Sequence, residues 1–146
     1  MKVILQRSKK SSVIVDNNIV GKIDSGLVIL VSFTQTDTEK QVDELINKII
    51  HLRIFDDENK VMNKSLVDVG GSILSISQFT LYADATKGRR PSYVNAMPGQ
   101  LAKPLYDLFN KKISDLNINI ETGIFGAEMT VNITNDGPNT FILESR

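Results

Sequence analysis

Gly26-Leu-Val-Ile-Leu-Val-Ser-Phe33 is followed after a short gap by Thr38-Glu-Lys-Gln-Val-Asp-Glu-Leu-Ile-Asn-Lys-Ile-Ile50, and the change of period between the two decides the fold class. The first is a short apolar run rich in β-branched residues and bounded by Asp24-Ser25-Gly26, which is the chemistry of a strand. In the second, Val42, Leu45, Ile46, Ile49 and Ile50 fall on one helical stripe. A Thr38-x-x-Gln41 capping box precedes that stripe and satisfies backbone amides at its start.

Working outward, Val3 to Leu5, Ser12 to Val15 and Ile19 to Ile23 are further strand-like segments separated by turn formers such as Asp16-Asn17-Asn18. The first third of the chain is therefore expected to be an antiparallel meander. Ser72 to Ser77, behind Gly70-Gly71, suits a buried strand. Leu101, Leu105, Leu108, Phe109 and Ile113 form a second helical stripe. Pro104 is tolerated there if it lies in the first turn, which puts the helix start near Gln100. Met129, Val131 and Ile133 alternate with polar residues, and Thr140 to Leu143 makes a last short strand. The expectation is an α+β single domain, residues 1–146, with a largely antiparallel, barrel-like β core and two main helices.

Composition bounds the chemistry. The 146 residues suit one domain with one core, and 41% hydrophobic with 23% charged is ordinary globular composition. Without cysteine there is no disulfide framework, thiolate zinc site or cysteine nucleophile. The only histidine, His51, ends the first helical stripe, where a cation favours a helix C-terminus. Neither a metal site nor a Ser-His-Asp triad is expected, and no cofactor is implied. The apolar run at the N-terminus is too short for a signal-peptide core and nothing approaches a membrane span, so a cytoplasmic location is expected. Seventeen basic residues balance seventeen acidic ones, so any RNA contact must be local and neither DNA nor membrane is an expected partner. Basic residues gather at Arg7, Lys9 and Lys10 and at Lys87, Arg89 and Arg90, although clusters of this size ordinarily mark a solvated face.

Two segments could carry chemistry. Ser77-Gln78-Phe79-Thr80-Leu81-Tyr82-Ala83-Asp84 leaves a buried strand with two hydroxyls, an amide and a carboxylate, although strand ends also collect such residues to satisfy loose backbone groups. Asn135-Asp136-Gly137-Pro138-Asn139-Thr140 has, by local sequence, the composition of a tight turn between strands. Only about 5–6% of X-Pro bonds in folded proteins are cis, so composition does not select that isomer.

These segments, with KGRRPSY at Lys87 to Tyr93, TGIFGAEM at Thr122 to Met129, Gln6-Arg7 and RIF at Arg53 to Phe55, resemble the bacterial D-aminoacyl-tRNA deacylases essentially end to end. The resemblance implies hydrolysis of the ester joining a D-amino acid, or glycine, to the 3′ end of tRNA, with L-aminoacyl groups rejected. It implies a homodimer whose two sites combine the Ser77, Gln78, Phe79 and Thr80 loop of one subunit with Gly137-Pro138 of the other. There Gly137-Pro138 matches a cis-proline motif whose carbonyls leave no room for an L-side chain, and Arg7 matches the arginine that holds it. Asn139 stands where valine is frequent and Ala83 where glycine or alanine occurs, and neither departure is expected to touch the atoms that select.

An aminoacyl ester is already activated, so a placed water and backbone donors for the oxyanion suffice. Amides around Gln78, Phe79 and Thr80 are the expected donors, with the tRNA's terminal 2′-hydroxyl helping the water as the resemblance implies. Thr80 as a nucleophile would need a base, and none is evident beside it in the sequence. Two other readings stay open here: a non-catalytic module for RNA 3′ ends, and a small-ester hydrolase using Thr80.

Overall fold

The computed structural model describes residues 1–145. In chain order the elements are β1 (Lys2–Ser8), β2 (Ser11–Val15), β3 (Asn18–Ile23), β4 (Gly26–Ser32), α1 (Glu39–His51), β5 (Phe55–Asp56), β6 (Met62–Lys64), α2 (Leu66–Val69) and β7 (Ser72–Ser77). A single 3-10 turn (Phe79–Tyr82), α3 (Gly99–Asp115), β8 (Ile120–Thr122), β9 (Thr130–Asn132) and β10 (Asn135–Glu144) complete the chain.

A five-stranded sheet ordered β10-β1-β4-β7-β8 forms the middle layer. On one face, Leu5, Leu27, Ile29, Val31 and Ile73 pack against Val42, Ile46 and Ile49 of α1 and Phe109 and Ile113 of α3. On the other, Val28, Leu74 and Ile76 meet Val13 and Ile23 of a small sheet ordered β3-β2-β9. Because β4 is covered on both faces, successive residues of Gly26–Ser32 are apolar instead of alternating. Gly26, with φ +137°, begins β4 where a Cβ would run into the main chain of Ser72 on β7.

The α+β class matches the sequence expectation, and five of the seven strand pairings are antiparallel as expected, but the main sheet is mixed and open, not a barrel, and it separates two apolar clusters in place of one core. β4 pairs with β7, and β7 with β8, in parallel, while the sheet ends at β10 and β8. Nor is the first third a meander. β1 pairs with β4 and β10, and the β2-β3 hairpin is set aside into the second sheet. Local turn chemistry marks where strands stop, but which strands then pair is decided by burial of their faces.

α1 keeps the expected capping box, with the Thr38 N–H donating to Gln41 Oε1 at 2.9 Å, and buries all five expected stripe residues. α3 differs. It starts at Gly99, so Pro104 is its sixth residue and lies past the first turn, leaving the Gln100 carbonyl without its amide donor on an exposed face. The face it buries is Ala102, Tyr106, Phe109 and Ile113, whereas Leu101 is 62% exposed. Both helices carry a lysine in their last turn, Lys48 on α1 and Lys112 on α3, and Lys112 ties them together through Asp43 at 2.6 Å and Glu39 at 2.7 Å.

Asn135–Thr140 is not a turn between strands. It lies inside β10, where Gln6 pairs with Thr140 and Ser8 with Asn135, so Asp136 to Asn139 all stand opposite Arg7. The surplus residues form a bulge on an edge strand, a place where a ladder can open without breaking the sheet.

Candidate active site

Parallel pairing brings the carboxyl ends of β4 and β7 to the same side of the sheet, and a cleft of about 780 Å³ opens there. Ser77, the last residue of β7, pairs with Val31, and the Gln78 N–H extends the ladder to the Val31 carbonyl at 2.8 Å. The chain then turns into the short 3-10 helix. The Ser32 hydroxyl donates to the Phe79 carbonyl at 3.4 Å, fixing the turn against the end of β4. The amides of Phe79 and Thr80 are the first of this helix and so have no acceptor within it.

Ser77, Gln78 and Phe79 line the cleft, and Thr80 stands beside them in the turn. The Gln78 amide nitrogen donates to the Thr80 hydroxyl, so this side chain is already engaged as an acceptor. Among the described residues, neither a histidine nor a carboxylate lines the cleft. Opposite Phe79 stands Tyr93, ring centroids 5.1 Å apart, and with Val94 it forms an exposed apolar lip. Phe125, Ala127 and Met129 of the TGIFGAEM segment make the far wall. Sequence reading quoted that segment without giving it a place; its signal was an apolar stretch between β8 and β9 that neither period explained.

The floor is held by Tyr106 of α3. Its hydroxyl donates to the Ser75 carbonyl at 2.8 Å and accepts from the Ser75 hydroxyl at 3.2 Å, locking β7 onto α3 two residues before Ser77. Burial pushes the Tyr106 phenol above its ordinary pKa, so it stays a donor. Tyr82 is pushed up to about 12, chiefly by burial and then by the Asp37 and Glu144 carboxylates, which leaves it no base at neutral pH.

Asp84 is occupied elsewhere. Its carboxylate accepts from the Thr86 hydroxyl at 2.6 Å and the Thr86 N–H at 2.9 Å, and these bonds hold its pKa below the usual carboxylate range. His51 is exposed at the end of α1, with Nδ1 2.9 Å from the Asn47 carbonyl, away from the cleft. Among the described residues no cluster of His, Cys, Asp and Glu is arranged to hold a metal ion.

Gly137-Pro138 is a cis peptide, as the resemblance implied, and both residues are exposed on the bulge of β10. Within one chain they do not line the cleft. Arg7, 8% exposed, spans the base of the bulge: Nε donates to the Asp136 carbonyl at 3.2 Å and lies 3.2 Å from the Asp136 carboxylate in an ion pair. Its Nη1 donates to the Ile54 carbonyl at 3.0 Å and to Asp56 at 3.1 Å. RIF thus supplies a carbonyl that fixes Arg7, and Asp56 is a supporting residue that sequence reading did not single out.

Asn139 has a structural part beside the motif. Its side-chain amide donates to the Asp136 carbonyl at 2.9 Å, and its main-chain N–H donates to Asn135 Oδ1 at 2.7 Å. It wraps against Gly137, where φ is +127° and an added Cβ would strike the Asn139 side chain. The departure from valine thus adds a second latch beside Arg7, on the Asp136 carbonyl and not on the carbonyls of Gly137 or Pro138. Ala83 lies just past the turn, its N–H on the Thr80 carbonyl at 3.0 Å, a bond that needs no side chain.

Comparison with known proteins gives consistent matches. Residues 4–144 match the family model described as D-Tyr-tRNA(Tyr) deacylase. Curated relatives named D-aminoacyl-tRNA deacylase include one from Listeria monocytogenes serotype 4a, 54% identical over 99% of this chain and 96% of its own. Another, from Bacillus cytotoxicus, is 53% identical over the full length of both. Among solved structures, one titled c-Myc DNA Unwinding Element Binding Protein superposes with a TM-score of 0.94 at 37% identity, covering 100% of this chain and 99% of its own.

Proposed function

The chain belongs to the D-Tyr-tRNA(Tyr) deacylase family, and from that premise we propose how its cleft hydrolyses the ester of D-aminoacyl-tRNA. The observation that carries the reading is the cleft wall, which offers main-chain amides, hydroxyls, a glutamine amide and apolar surface but no carboxylate or imidazole. Such a site suits a substrate that arrives activated, as an aminoacyl ester does.

Water adds to the ester carbonyl, and the oxygen that becomes negative is received by the Phe79 and Thr80 amides, which have no acceptor in their own helix. Collapse breaks the bond to the terminal ribose oxygen, which takes a proton and leaves as the tRNA hydroxyl, while the carboxylate leaves as the free amino acid. The neighbouring 2′-hydroxyl orients the water. Ser77 and Gln78 shape the approach, and Gln78 fixes the Thr80 side chain.

The subunit is completed by a second copy. In a homodimer, Gly137-Pro138 of one subunit enters the cleft of the other and its carbonyls stand where an L-side chain would project. Support comes from the exposure of the bulge, its fixation by Arg7 and Asn139, and its absence from the wall of its own cleft. Rejection of a Cβ on one side cannot exclude an amino acid without one, so glycyl-tRNA is also cleaved. No helix of the described residues is long and apolar enough to cross a membrane, and a cytoplasmic location fits a tRNA substrate.

The test is to follow amino-acid release from matched D- and L-tyrosyl-tRNA. The D-form should be hydrolysed at least about a hundredfold faster, the scale a steric filter of this kind provides. Equal rates on the two would refute selection by the carbonyls, and no release from either would refute the activity.

A further inference from the structure

Between Asp84 and Asp107 the chain carries no acidic residue, although acids and bases balance over its whole length. Within that interval Lys87, Arg89 and Arg90 occupy one exposed loop. None of the ion pairs among the described residues involves these three, and although Lys10, Lys22 and Lys60 are also outside them, Lys87, Arg89 and Arg90 stand together on one loop, whereas Lys2, Lys9, Lys64, Lys103, Lys111 and Lys112 each pair with a carboxylate. Asp84, the nearest acid in sequence, has its carboxylate turned onto Thr86. The loop's ends are fixed: Asp84 and Ser92 exchange both main-chain hydrogen bonds at 2.8 Å. Gly88, at φ +72° with open space around it, turns the chain between Lys87 and the arginine pair. The loop returns directly into Tyr93 and Val94 on the lip of the cleft.

We infer that the Lys87–Arg90 loop is a phosphate clamp that grips the backbone of the tRNA acceptor end while its terminal nucleotide lies in the cleft. This rests on the deacylase reading for its choice of polyanion. An ordinary solvated basic face would have acids interspersed, as on α3, where Lys103 and Lys111 pair with Asp107 and Asp115 at i,i+4. Here the cations are left free on a loop fixed at both ends, which leads directly into residues that line the cleft. Guanidinium groups match phosphate oxygens by paired hydrogen bonds, and each phosphate neutralised releases counterions from the strand.

The experiment compares the wild-type protein with a triple variant, Lys87→Gln, Arg89→Gln and Arg90→Gln, and with a control, Lys103→Gln and Lys111→Gln. Substrates are D-tyrosyl-tRNA and D-tyrosyl-adenosine, which keeps the ester but has no phosphate. Binding of uncharged tRNA is followed by fluorescence anisotropy between about 50 and 200 mM salt, the range over which counterion release is readily resolved. For the triple variant, KM on D-tyrosyl-tRNA should rise about tenfold or more with kcat kept, and the salt slope should fall by about 2–3, from about 0.7–0.9 per phosphate contact. Hydrolysis of D-tyrosyl-adenosine should be unchanged, and the control should match wild type. An unchanged slope and KM would overturn the clamp, as would equal losses on both substrates, which would mean that the loop shapes the cleft. Should wild type cleave neither substrate, the deacylase reading fails, but a salt slope lowered only in the triple variant would still uphold the loop as an RNA contact.

Discussion

Thr80 is the one side chain of the turn that invites a covalent mechanism, and its surroundings argue against it. Its hydroxyl accepts from Gln78, and neither a histidine nor a carboxylate lines the cleft beside it to take its proton. Backbone donors, by contrast, cannot be removed by ordinary substitution, which makes proline the useful probe. Phe79→Pro deletes one amide at a first helical position, where proline's fixed φ is compatible with the turn, and Phe79→Leu controls for loss of the ring against Tyr93. Thr80→Ala should lower kcat by less than about tenfold, while Phe79→Pro should lower it by about a hundredfold or more with Phe79→Leu close to wild type. Single-turnover release from D-tyrosyl-tRNA checks all three. Inactivity of Thr80→Ala beside an active Phe79→Pro would assign the chemistry to the hydroxyl.

At the scale of the element, the site depends on β7 ending in the right place, and α3 holds it there through one buried pair. Removing the Tyr106 hydroxyl leaves the Ser75 carbonyl without its side-chain donor and the Ser75 hydroxyl without its acceptor, in a place where Ser75 is fully buried. Tyr106→Phe should therefore cost about 1–3 kcal/mol, with Tm falling by about 3 °C for each kcal/mol, read by thermal unfolding. A Tm within a degree of wild type would show that the pair contributes nothing net. This dependence was not legible in the sequence, because Tyr106 and Ser75 are polar residues that a search for apolar stripes passes over. α1 was legible in full, since its cap and its stripe are local and agree. Of the α3 stripe, Phe109 and Ile113 are buried as expected and Leu105 packs against the core, but Leu101 faces out and Ala102 and Tyr106 face in, because leucine looks better suited to a core than alanine or tyrosine. The sheet order escaped for another reason: β4 and β7 are parallel partners separated by a helix and a hairpin, and no local signal encodes that pairing. Asn135–Thr140 has every mark of a turn, yet the clamp that makes it a bulge comes from Arg7 and Ile54, far away along the chain.

At the scale of the whole molecule, the proposed mechanism joins the loop after β7 to the bulge of β10, which among the described residues does not line the cleft of its own subunit. β10 is an edge strand with Ile142 67% exposed, and Leu101 on α3 is 62% exposed, so apolar surface remains for a partner. If each site draws on both subunits, two variants with different defects should rescue one another. Phe79→Pro impairs the loop; Gly137→Val places a branched side chain at φ +127°, against Asn139, and should distort the bulge. In a two-fold dimer each composite site takes the loop from one copy and the bulge from the other, so a mixed dimer holds one site with both defects and one with none. Co-expression of the two variants at equal levels gives mixed dimers as about half of the total, and activity should recover to about one quarter of wild type. Purifying the mixed dimer by two different tags and assaying D-tyrosyl-tRNA release should raise that to about one half, since every molecule then carries one intact site. A site built within one chain behaves oppositely: both sites of every mixed dimer would carry one defect, and activity would stay at the level of the separate variants. That result would show that the bulge acts within its own subunit and not in its partner's cleft.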